Sequence, residues 1–545
     1  MNYLDWIVIV IYLLGVILLA LYFNRRQNNT EDYYLGGRKI KWWQSGASTM
    51  ATQLGAISFV SAPAFVALKE NGGLKWLSYE FGVPLALILV MAIIIPVLHQ
   101  KHYISIYQFL EDRFDAGTRS LVSFLFQVGR GLATAVAILA GGLVLSTALN
   151  MSTVTAIILI GSVTVFYDVL GGIRVVILSD VLQMVIIITG ILICGYVAFS
   201  IVGIENTLST ISADRLQVFD FNHFGFREGE TYAFWPMLIG GIFLYASYYG
   251  TDQSQVQREL SVGHVDEVRK SLIVNAVGRF PLVLSYCLMG LFVGAVFTRP
   301  ETLSQVGSAL GVSANRVSEI LQHDPDRMVP MFIVSFLPNG LIGFIFIAIM
   351  AALMSSLDSG LNSLSAVTMK DFYQRYIRPD AGEKHYFRIS KLITLSWGIF
   401  CVSAALLFYE ISEAASQTTI VWINAIGSTL YGPILAAFLT GMFVKKMRAG
   451  SIKIGIISGI LVNLFVLFFT PVSWLWWNVI GFVVTIGVAF LMEKFVLSRM
   501  TRLAFVLPQI VTERHSSGYW GRLYWVITAY FFLILTVSLI IEHLS

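Results

Sequence analysis

The sequence predicts an all-α protein that crosses a membrane many times, and three observations support this prediction. First, 57% of the 545 residues are hydrophobic and only 12% are charged, about half the charged fraction of a soluble domain. Second, apolar stretches of about 20 residues, long enough to span a bilayer, recur along the whole chain. Third, lysine and arginine are concentrated in every second connection between these stretches. So little polar surface excludes a soluble enzyme, a nucleic-acid-binding protein and a disordered chain.

Fourteen stretches have the length and composition of transmembrane helices. The first is not expected to be a cleaved signal peptide, because it is long, lacks a basic start and meets Arg25 and Arg26 instead of a small-residue cleavage site. With both termini outside, the inner connections hold 27 of the 36 lysines and arginines and the outer connections only 7. The predicted spans are residues 4–23, 44–67, 75–98, 120–149, 153–170, 174–202, 232–257, 271–298, 341–369, 391–410, 417–443, 451–470, 473–493 and 523–542.

Two of these spans are interrupted by glycines and polar residues near their middle. The second contains the segment 46–58, rich in Gly, Ser and Thr, and continues to Pro63. The seventh contains the segment 240–253, with three glycines and an Asp-Gln pair. Because lipid offers no partner for freed backbone groups, breaks at matching positions five spans apart indicate a transporter site built from an inverted repeat. The alternative is close helix packing through glycine.

The ninth span carries the most polar buried stretch of the chain, residues 351–363. At helical spacing Ser355, Ser359 and Ser363 share one face with Ala352, and Asp358 and Asn362 lie at the edge of that face. Hydroxyls and freed carbonyls can replace the water shell of a monovalent cation, although serines also bond to their own preceding turn. A carboxylate inside the membrane is costly, so Asp358 and Asp180 are functional candidates. For Asp180, pairing with Arg174 is the structural alternative.

Several motifs, in the same order along the chain, resemble the sodium/solute symporter family. They cover residues 31–38, 42–43, 107–114, 167–172, 180–183, 255–258, 355–363 and 440–443. The resemblance implies a LeuT-like core of two inverted five-helix repeats and alternating access driven by sodium. The sequence has no zinc or phosphate-loop spacing and no nucleophile–base pair near a glycine elbow, so no enzyme is predicted.

The resemblance also implies how the chain is divided. Residues 1–43 form the first helix and a basic inner loop, and residues 44–202 form the first repeat. An outer loop, 203–231, leads to the second repeat, 232–443, which contains another outer loop at 299–340. Residues 444–545 then form three C-terminal helices.

Sodium ligands follow from the same resemblance, position by position. The site shared across the family uses backbone carbonyls that match Ala51, Leu54 and Ala352, and hydroxyls that match Ser355 and Ser356. A second sodium site of the sialic acid symporters matches Ser355, Asp358, Ser359 and Asp180. One family serine is an aspartate here, which keeps an oxygen ligand and adds charge. The resemblance therefore implies one bound sodium ion, and oxygen ligands for a second sodium ion are also present. The alternative is that a proton occupies one of the two sites.

The resemblance also implies that a set of polar residues binds the substrate. Arg130 lies where the sialic acid symporters place an arginine that grips a carboxylate. Tyr245 departs from the asparagine of the galactose symporter, and Tyr248 matches its inner-gate tyrosine. The full set is Gln53, Ser58, Tyr79, Glu80, Arg130, Tyr245, Tyr248 and Asn424.

Two substrate classes stay open at this point. A sialic, sugar or monocarboxylic acid would use Arg130, whereas a neutral sugar or polyol would use Gln53, Glu80 and Asn424, with Arg130 neutralised by Glu80. A channel or sensor on the same fold, without coupled transport, is a further alternative. The protein is expected to be a multi-pass protein of a cell membrane, the inner membrane of a bacterium. Its expected partners are a small solute, sodium ions and lipid, and no nucleic acid is expected. Arg279, also within a span, has no assigned role.

Overall fold

Helices form nearly all the regular structure in the computed structural model, which describes residues 2–25, 27–149, 151–413, 419–494, 504–505 and 517–543. The first helices are α1 (Tyr3–Asn24), α2 (Thr30–Leu35), α3 (Trp42–Gln53), α4 (Ala56–Ala67), α5 (Gly82–Leu89), α6 (Ile95–His99), α7 (Gln108–Arg113), α8 (Ala116–Leu149), α9 (Thr153–Val202), α10 (Ile204–Thr210) and α11 (Ala213–Leu216). A 3-10 helix, Leu74–Phe81, leads into α5, and a π-helical turn, Val90–Ile94, joins α5 to α6. The all-α prediction is confirmed.

The second half of the chain continues the same architecture. Its helices are α12 (Gly241–Thr251), α13 (Gln253–Leu260), α14 (Val265–Val296), α15 (Pro300–Leu310), α16 (Ala314–His323), α17 (Met328–Phe336), α18 (Leu341–Val367), α19 (Glu383–Glu413), α20 (Thr419–Phe443), α21 (Ala449–Phe469), α22 (Trp474–Met492) and α23 (Ser517–Glu542). A π-helical turn, Pro236–Gly240, precedes α12, and another, Thr368–Ile377, extends α18. Two short strands, β1 (Val444–Lys445) and β2 (Ala504–Phe505), pair antiparallel.

Both predicted interruptions are present as breaks between helices. Helix α3 ends at Gln53, and Leu54 then leaves helical geometry with φ −94° and ψ 72°. The chain beyond this break is inclined by 54° to α3. Asp252 separates α12 from α13 with φ −93° and ψ 120°. Each break frees backbone groups in the interior of the protein, where they can serve a ligand.

Fewer helices in the described part of the structure are long enough to cross a membrane than the sequence predicts. Within the described residues, eleven helices are long and apolar enough to cross a membrane, or up to twelve if α3 and α4 form one bent span. The difference from fourteen lies in α9, which contains two predicted spans, and in the predicted span 232–257, which is divided among Pro236–Gly240, α12 and α13. Fourteen spans, and termini on the outside, stay predictions.

Helix α9 shows why two spans can share one helical element. Its 50 residues would extend about 75 Å if straight, more than twice the thickness of the hydrocarbon core. The backbone departs from helical geometry at Gly172, with φ 55° and ψ −168°, inside the predicted connection 171–173. A Cβ atom at this position would lie 2.6 Å from the carbonyl oxygen of Tyr33, so the turn requires glycine.

Helix α18 lies at the centre of the helix bundle. Nearly all of its side chains are buried, and it packs against α8, α9, α3 and α1. By contrast, α19 and α23 expose large apolar side chains, as helices facing lipid do. The polar face of α18 is therefore held against the broken helix α3 in the protein interior.

Candidate functional site

A cavity of about 270 Å³ lies where the two helix breaks meet α8 and α18. It is lined by all the residues expected to bind the substrate except Asn424, and also by Ser356 of the expected sodium site. Its polar and aromatic lining includes Gln53, Ser58, Trp76, Tyr79, Glu80, Arg130, Tyr245, Tyr248, Asp252, Arg279, Tyr286, Ser356 and Tyr431. Asn424 belongs to α20, but its side chain lies outside the described residues.

Glu80 is held by an arginine that the sequence left without a role. Arg279 donates from Nε to Glu80 Oε2 (2.7 Å) and from Nη2 to Glu80 Oε1 (2.6 Å), a bidentate ion pair. Its Nη1 donates to Gln53 Oε1, and Tyr245 donates its hydroxyl to Glu80 Oε1 (3.2 Å). All three guanidinium nitrogens are thus engaged. Arg279 orients Glu80, Gln53 and Tyr245 on one wall of the cavity.

Arg130 forms a separate ion pair on another part of the lining. Its Nη2 donates to Asp252 Oδ2, and its guanidinium carbon lies 5.6 Å from the ring centre of Tyr248. Asp252 also caps α13, because its Oδ1 accepts from the backbone N (2.8 Å) and Oγ (2.7 Å) of Ser254. The expected neutralisation of Arg130 by Glu80 is therefore wrong, since Arg279 engages Glu80 and Asp252 engages Arg130.

Aromatic rings form two parts of the cavity wall. Trp76 packs against Phe65 (5.5 Å between ring centres) and donates from Nε1 to the Tyr286 hydroxyl (2.9 Å). On another part of the wall, Gln255 donates from Nε2 to the Tyr248 hydroxyl (2.8 Å). The role of Tyr248 as an inner gate stays a prediction.

The expected residues of the shared sodium site converge between α3 and α18. Ser355 Oγ donates to the carbonyl oxygens of Ala51 (3.0 Å) and Ala352 (3.2 Å). Ser356 Oγ donates to the carbonyl oxygen of Thr52 (3.0 Å). Leu54, at the end of α3, is buried beside them. Carbonyls and hydroxyls that approach this closely form an oxygen-rich pocket of the kind that suits a monovalent cation.

The residues expected at a second sodium site also lie close together, further along α18. Asp358 accepts from the Tyr167 hydroxyl (2.6 Å) and from Ser359 Oγ (3.2 Å). Asp180 Oδ2 accepts from Ser48 Oγ (2.5 Å). Both carboxylates are fully buried.

A buried arginine, Arg258, lies among the oxygens of this second group and contacts them. Its Nη2 donates to Asp180 Oδ2 (3.1 Å) and to Ser359 Oγ, and its Nε donates to Ser48 Oγ (2.7 Å). Only 1% of its side chain is exposed. The partner of Asp180 is thus Arg258 and not Arg174, which packs on the ring of Phe23. The sequence contains one signal for Arg258, its place in the motif 255–258.

Glu80→Gln is expected to destabilise the protein by about 3–5 kcal/mol, because it leaves the buried Arg279 without a counter-charge. Thermal unfolding of the purified protein in detergent measures this loss. Glu70→Gln, which removes an exposed carboxylate ten residues earlier, serves as the matched control. A melting temperature equal to that of the control would contradict a structural role for the Glu80–Arg279 pair.

Comparisons with known proteins agree with this geometry. The model of the sodium:solute symporter family matches residues 33–462. The sodium/sialic acid symporter SiaT of Proteus mirabilis is 30% identical over 493 residues, which cover 88% of this chain and 92% of that protein. The sodium/glucose cotransporter of Vibrio parahaemolyticus is 27% identical over 490 residues, covering 87% and 86%. The solved structure of a sodium-coupled sialic acid symporter superposes with a TM-score of 0.80 at 24% identity, covering 93% of this chain and all of that one.

The fold is a LeuT-like core whose broken helices surround a central cavity. Together with the family match, it defines the class as a secondary transporter. The chain belongs to the sodium:solute symporter family. It is a multi-pass protein of the cell membrane that couples solute import to sodium, and it is not an enzyme. The predictions of family, fold class, sodium coupling and membrane location are confirmed. The number of sodium ions and the roles of individual residues stay predictions.

Proposed function

We propose that the solute is a polyhydroxylated acid of the sialic acid class. The observation that carries the proposal is Arg130, a mostly buried arginine on the cavity wall. Its contact with Asp252 uses Nη2, while Nε and Nη1 have no hydrogen-bond partner within the described part of the chain. These N–H groups are suited to a ligand carboxylate, which forms short, charge-assisted hydrogen bonds. Relatives that transport sialic acid support this choice.

Arg279 has a different part in this proposal. Because its nitrogens already contact Glu80, Gln53 and Tyr245, it has little capacity for a second carboxylate. It acts as a positioning residue that presents the amide of Gln53 and the carboxylate of Glu80 to solute hydroxyls. Ser58 and Tyr79, which also line the cavity, add hydroxyl groups. The cavity volume of about 270 Å³ lies just below the usual range of small-molecule sites.

Arg130→Gln is expected to reduce sodium-driven uptake of N-acetylneuraminic acid by roughly tenfold or more, since a hydrogen bond to a charged group contributes about 1.5–3 kcal/mol. The measurement is uptake into proteoliposomes under an inward sodium gradient. Wild type should discriminate against the methyl ester of the acid, and the variant should lose that discrimination. Arg227→Gln, in an exposed outer loop, is the matched control. Full uptake by Arg130→Gln would contradict carboxylate binding by Arg130.

A neutral sugar or polyol is the second candidate. One observation favours it: each arginine of the cavity already has its own carboxylate, so the wall carries no excess charge. A buried charge that is already paired has little net attraction for an anion. In the same uptake experiment, sodium-driven transport of galactose without competition from N-acetylneuraminic acid would select this candidate.

We also propose that sodium binds at Ala51, Leu54, Ala352, Ser355 and Ser356. The short distances from Ser355 Oγ to the Ala51 and Ala352 carbonyls support this assignment. A second sodium at Ser355, Asp358, Ser359 and Asp180 requires that Arg258 withdraw, because its guanidinium contacts Asp180 and Ser359. The repeats that carry these sites are proposed to cover 44–202 and 232–443, flanked by residues 1–43 and 444–545, with outer loops at 203–231 and 299–340.

A further inference from the structure

A second cavity, of about 410 Å³, lies at the face that the lysine and arginine distribution assigns to the cytosol. Its lining residue Ile104 accepts a hydrogen bond from Gln253 Nε2 (2.7 Å), next to the break at Asp252. It is formed where the connection before α8 meets the end of the π-helical turn Thr368–Ile377. One wall consists of His102, Ile104, Gln108 and Arg119, and the other of Lys370, Gln374, Arg375 and Pro379. None of the residues that line the central cavity contributes to it.

The described residues that line this second cavity offer hydrogen-bond donors and no carboxylate. Lys370 Nζ donates to Gln374 Oε1 (2.9 Å) and has no ion-pair partner among the described residues. Arg375 contacts Glu111 Oε1 through Nη2 alone (2.5 Å). Gln108 Oε1 accepts two backbone N–H groups, so only its NH₂ group is available to a ligand. Such a lining is complementary to an anion with several oxygens.

The walls are rigid because buried contacts fix them. Arg119 donates to Asp371 Oδ1 from Nε (2.9 Å) and Nη2 (2.5 Å), and to Glu111 Oε2 from Nη1 (2.7 Å). Asp371, fully buried, also accepts from the hydroxyls of Ser105 (2.6 Å) and Ser123 (2.6 Å). Glu111 also contacts Arg375, so these two carboxylates hold both Arg119 and Arg375 in place. The cavity is thus preorganised for a charged ligand.

We propose that this cavity binds a phosphate group, carried either by a soluble anion or by the headgroup of an acidic phospholipid. A phosphate supplies enough acceptor oxygens for Lys370, Arg375 and the two glutamine amides together, which a small halide cannot do. Basic pockets between membrane helices on the cytosolic side bind such headgroups. Tyr376 and Ile377, exposed by 56% and 63% next to the cavity, provide apolar surface for adjoining acyl chains. A bound phosphate links the connection before α8 to α18, the helix that carries Ser355 and Ser356.

The test measures thermal unfolding of the full-length protein with two probes. In uncharged detergent, potassium pyrophosphate is titrated against potassium chloride at equal ionic strength. In nanodiscs, phosphatidylcholine is compared with phosphatidylcholine containing phosphatidylglycerol. The variant is Lys370→Gln with Arg375→Gln, and the matched control is Arg378→Gln, an exposed arginine of the same loop outside the cavity lining. Sodium-induced stabilisation, measured in parallel, verifies that each variant is folded.

Wild type and Arg378→Gln should be stabilised by at least one probe, and the double variant should need roughly tenfold more of it. Stabilisation by pyrophosphate alone identifies a soluble anion, and stabilisation by phosphatidylglycerol alone identifies a lipid phosphate; either result supports the phosphate site. If neither probe stabilises wild type, or if the double variant responds equally, the proposal is wrong. If the double variant fails to fold, the single variant Lys370→Gln, which leaves no carboxylate unpaired, is tested instead. It should weaken the stabilisation by the same probe, and an unchanged stabilisation would contradict the phosphate site.

Discussion

Replacing Ser356 with alanine is expected to abolish most sodium-stimulated uptake while the protein stays folded. Ser356 Oγ lies 3.0 Å from the Thr52 carbonyl oxygen, at the junction of the broken helix α3 with α18, and Ser356 also lines the substrate cavity. Loss of one oxygen ligand should weaken sodium binding by about 10- to 100-fold, the equivalent of about 1–3 kcal/mol. The sodium concentration that gives half-maximal uptake in proteoliposomes measures this change.

The control for this prediction is Ser363→Ala in the same helix. Ser363 is also buried, but its hydroxyl donates to Gly360 O (2.9 Å) within its own helix. Its removal should leave the sodium dependence unchanged. Ser356→Thr, which retains the hydroxyl, should preserve more of the sodium affinity than alanine does. If Ser356→Ala and Ser363→Ala have the same sodium dependence as wild type, Ser356 is not a sodium ligand.

Asp180→Asn should both destabilise the protein and eliminate uptake. Arg258, 1% exposed, would lose the carboxylate 3.1 Å from its Nη2 and remain as an uncompensated buried charge. Breaking such a pair costs about 3–5 kcal/mol. The measurements are the melting temperature and sodium-driven uptake, with Asp214→Asn, at an exposed position of α11, as the control.

A double variant separates the two roles of Asp180. Asp180→Asn combined with Arg258→Gln removes both charges, so most of the lost stability should return. Uptake should not return if Asp180 ligates a cation during transport. Recovery of both properties would mean that Asp180 serves only to neutralise Arg258. No recovery of stability would mean that the two side chains are not energetically coupled.

The positions of polar residues in the spans could be predicted from the sequence, but their partners could not. A carboxylate or guanidinium in an apolar stretch is conspicuous, which is why the sequence alone makes Glu80, Arg130 and Asp180 candidates. Their partners lie far away in the chain: Glu80 and Arg279 are 199 residues apart, and Arg130 and Asp252 are 122 residues apart. Nothing in a one-dimensional pattern distinguishes an Arg130–Glu80 pair from the pairs that form.

The interruptions in the helices, unlike the partners of the polar residues, could be predicted from the sequence. Glycines and amide side chains in mid-span mark a local failure of helical hydrogen bonding, so the breaks at 54–55 and at Asp252 could be expected within the segments 46–58 and 240–253. By contrast, Arg258 lies in a short polar segment at the inner end of a span, where an arginine is ordinary. Only packing against α3, α9 and α18 makes it a buried cation.

The sequence by itself determined that this protein lies in a membrane, that its charge is concentrated between the apolar stretches, and where its helices break. These properties depend on the cost of exposing polar groups to lipid, which every residue meets locally. The tertiary structure decided which carboxylate neutralises which arginine, which guanidinium keeps N–H groups without a partner among the described residues, and that Arg258 lies among the oxygens expected to hold a second sodium. Those outcomes depend on distances between helices that are remote in the chain, and such distances exist only once the helices have packed.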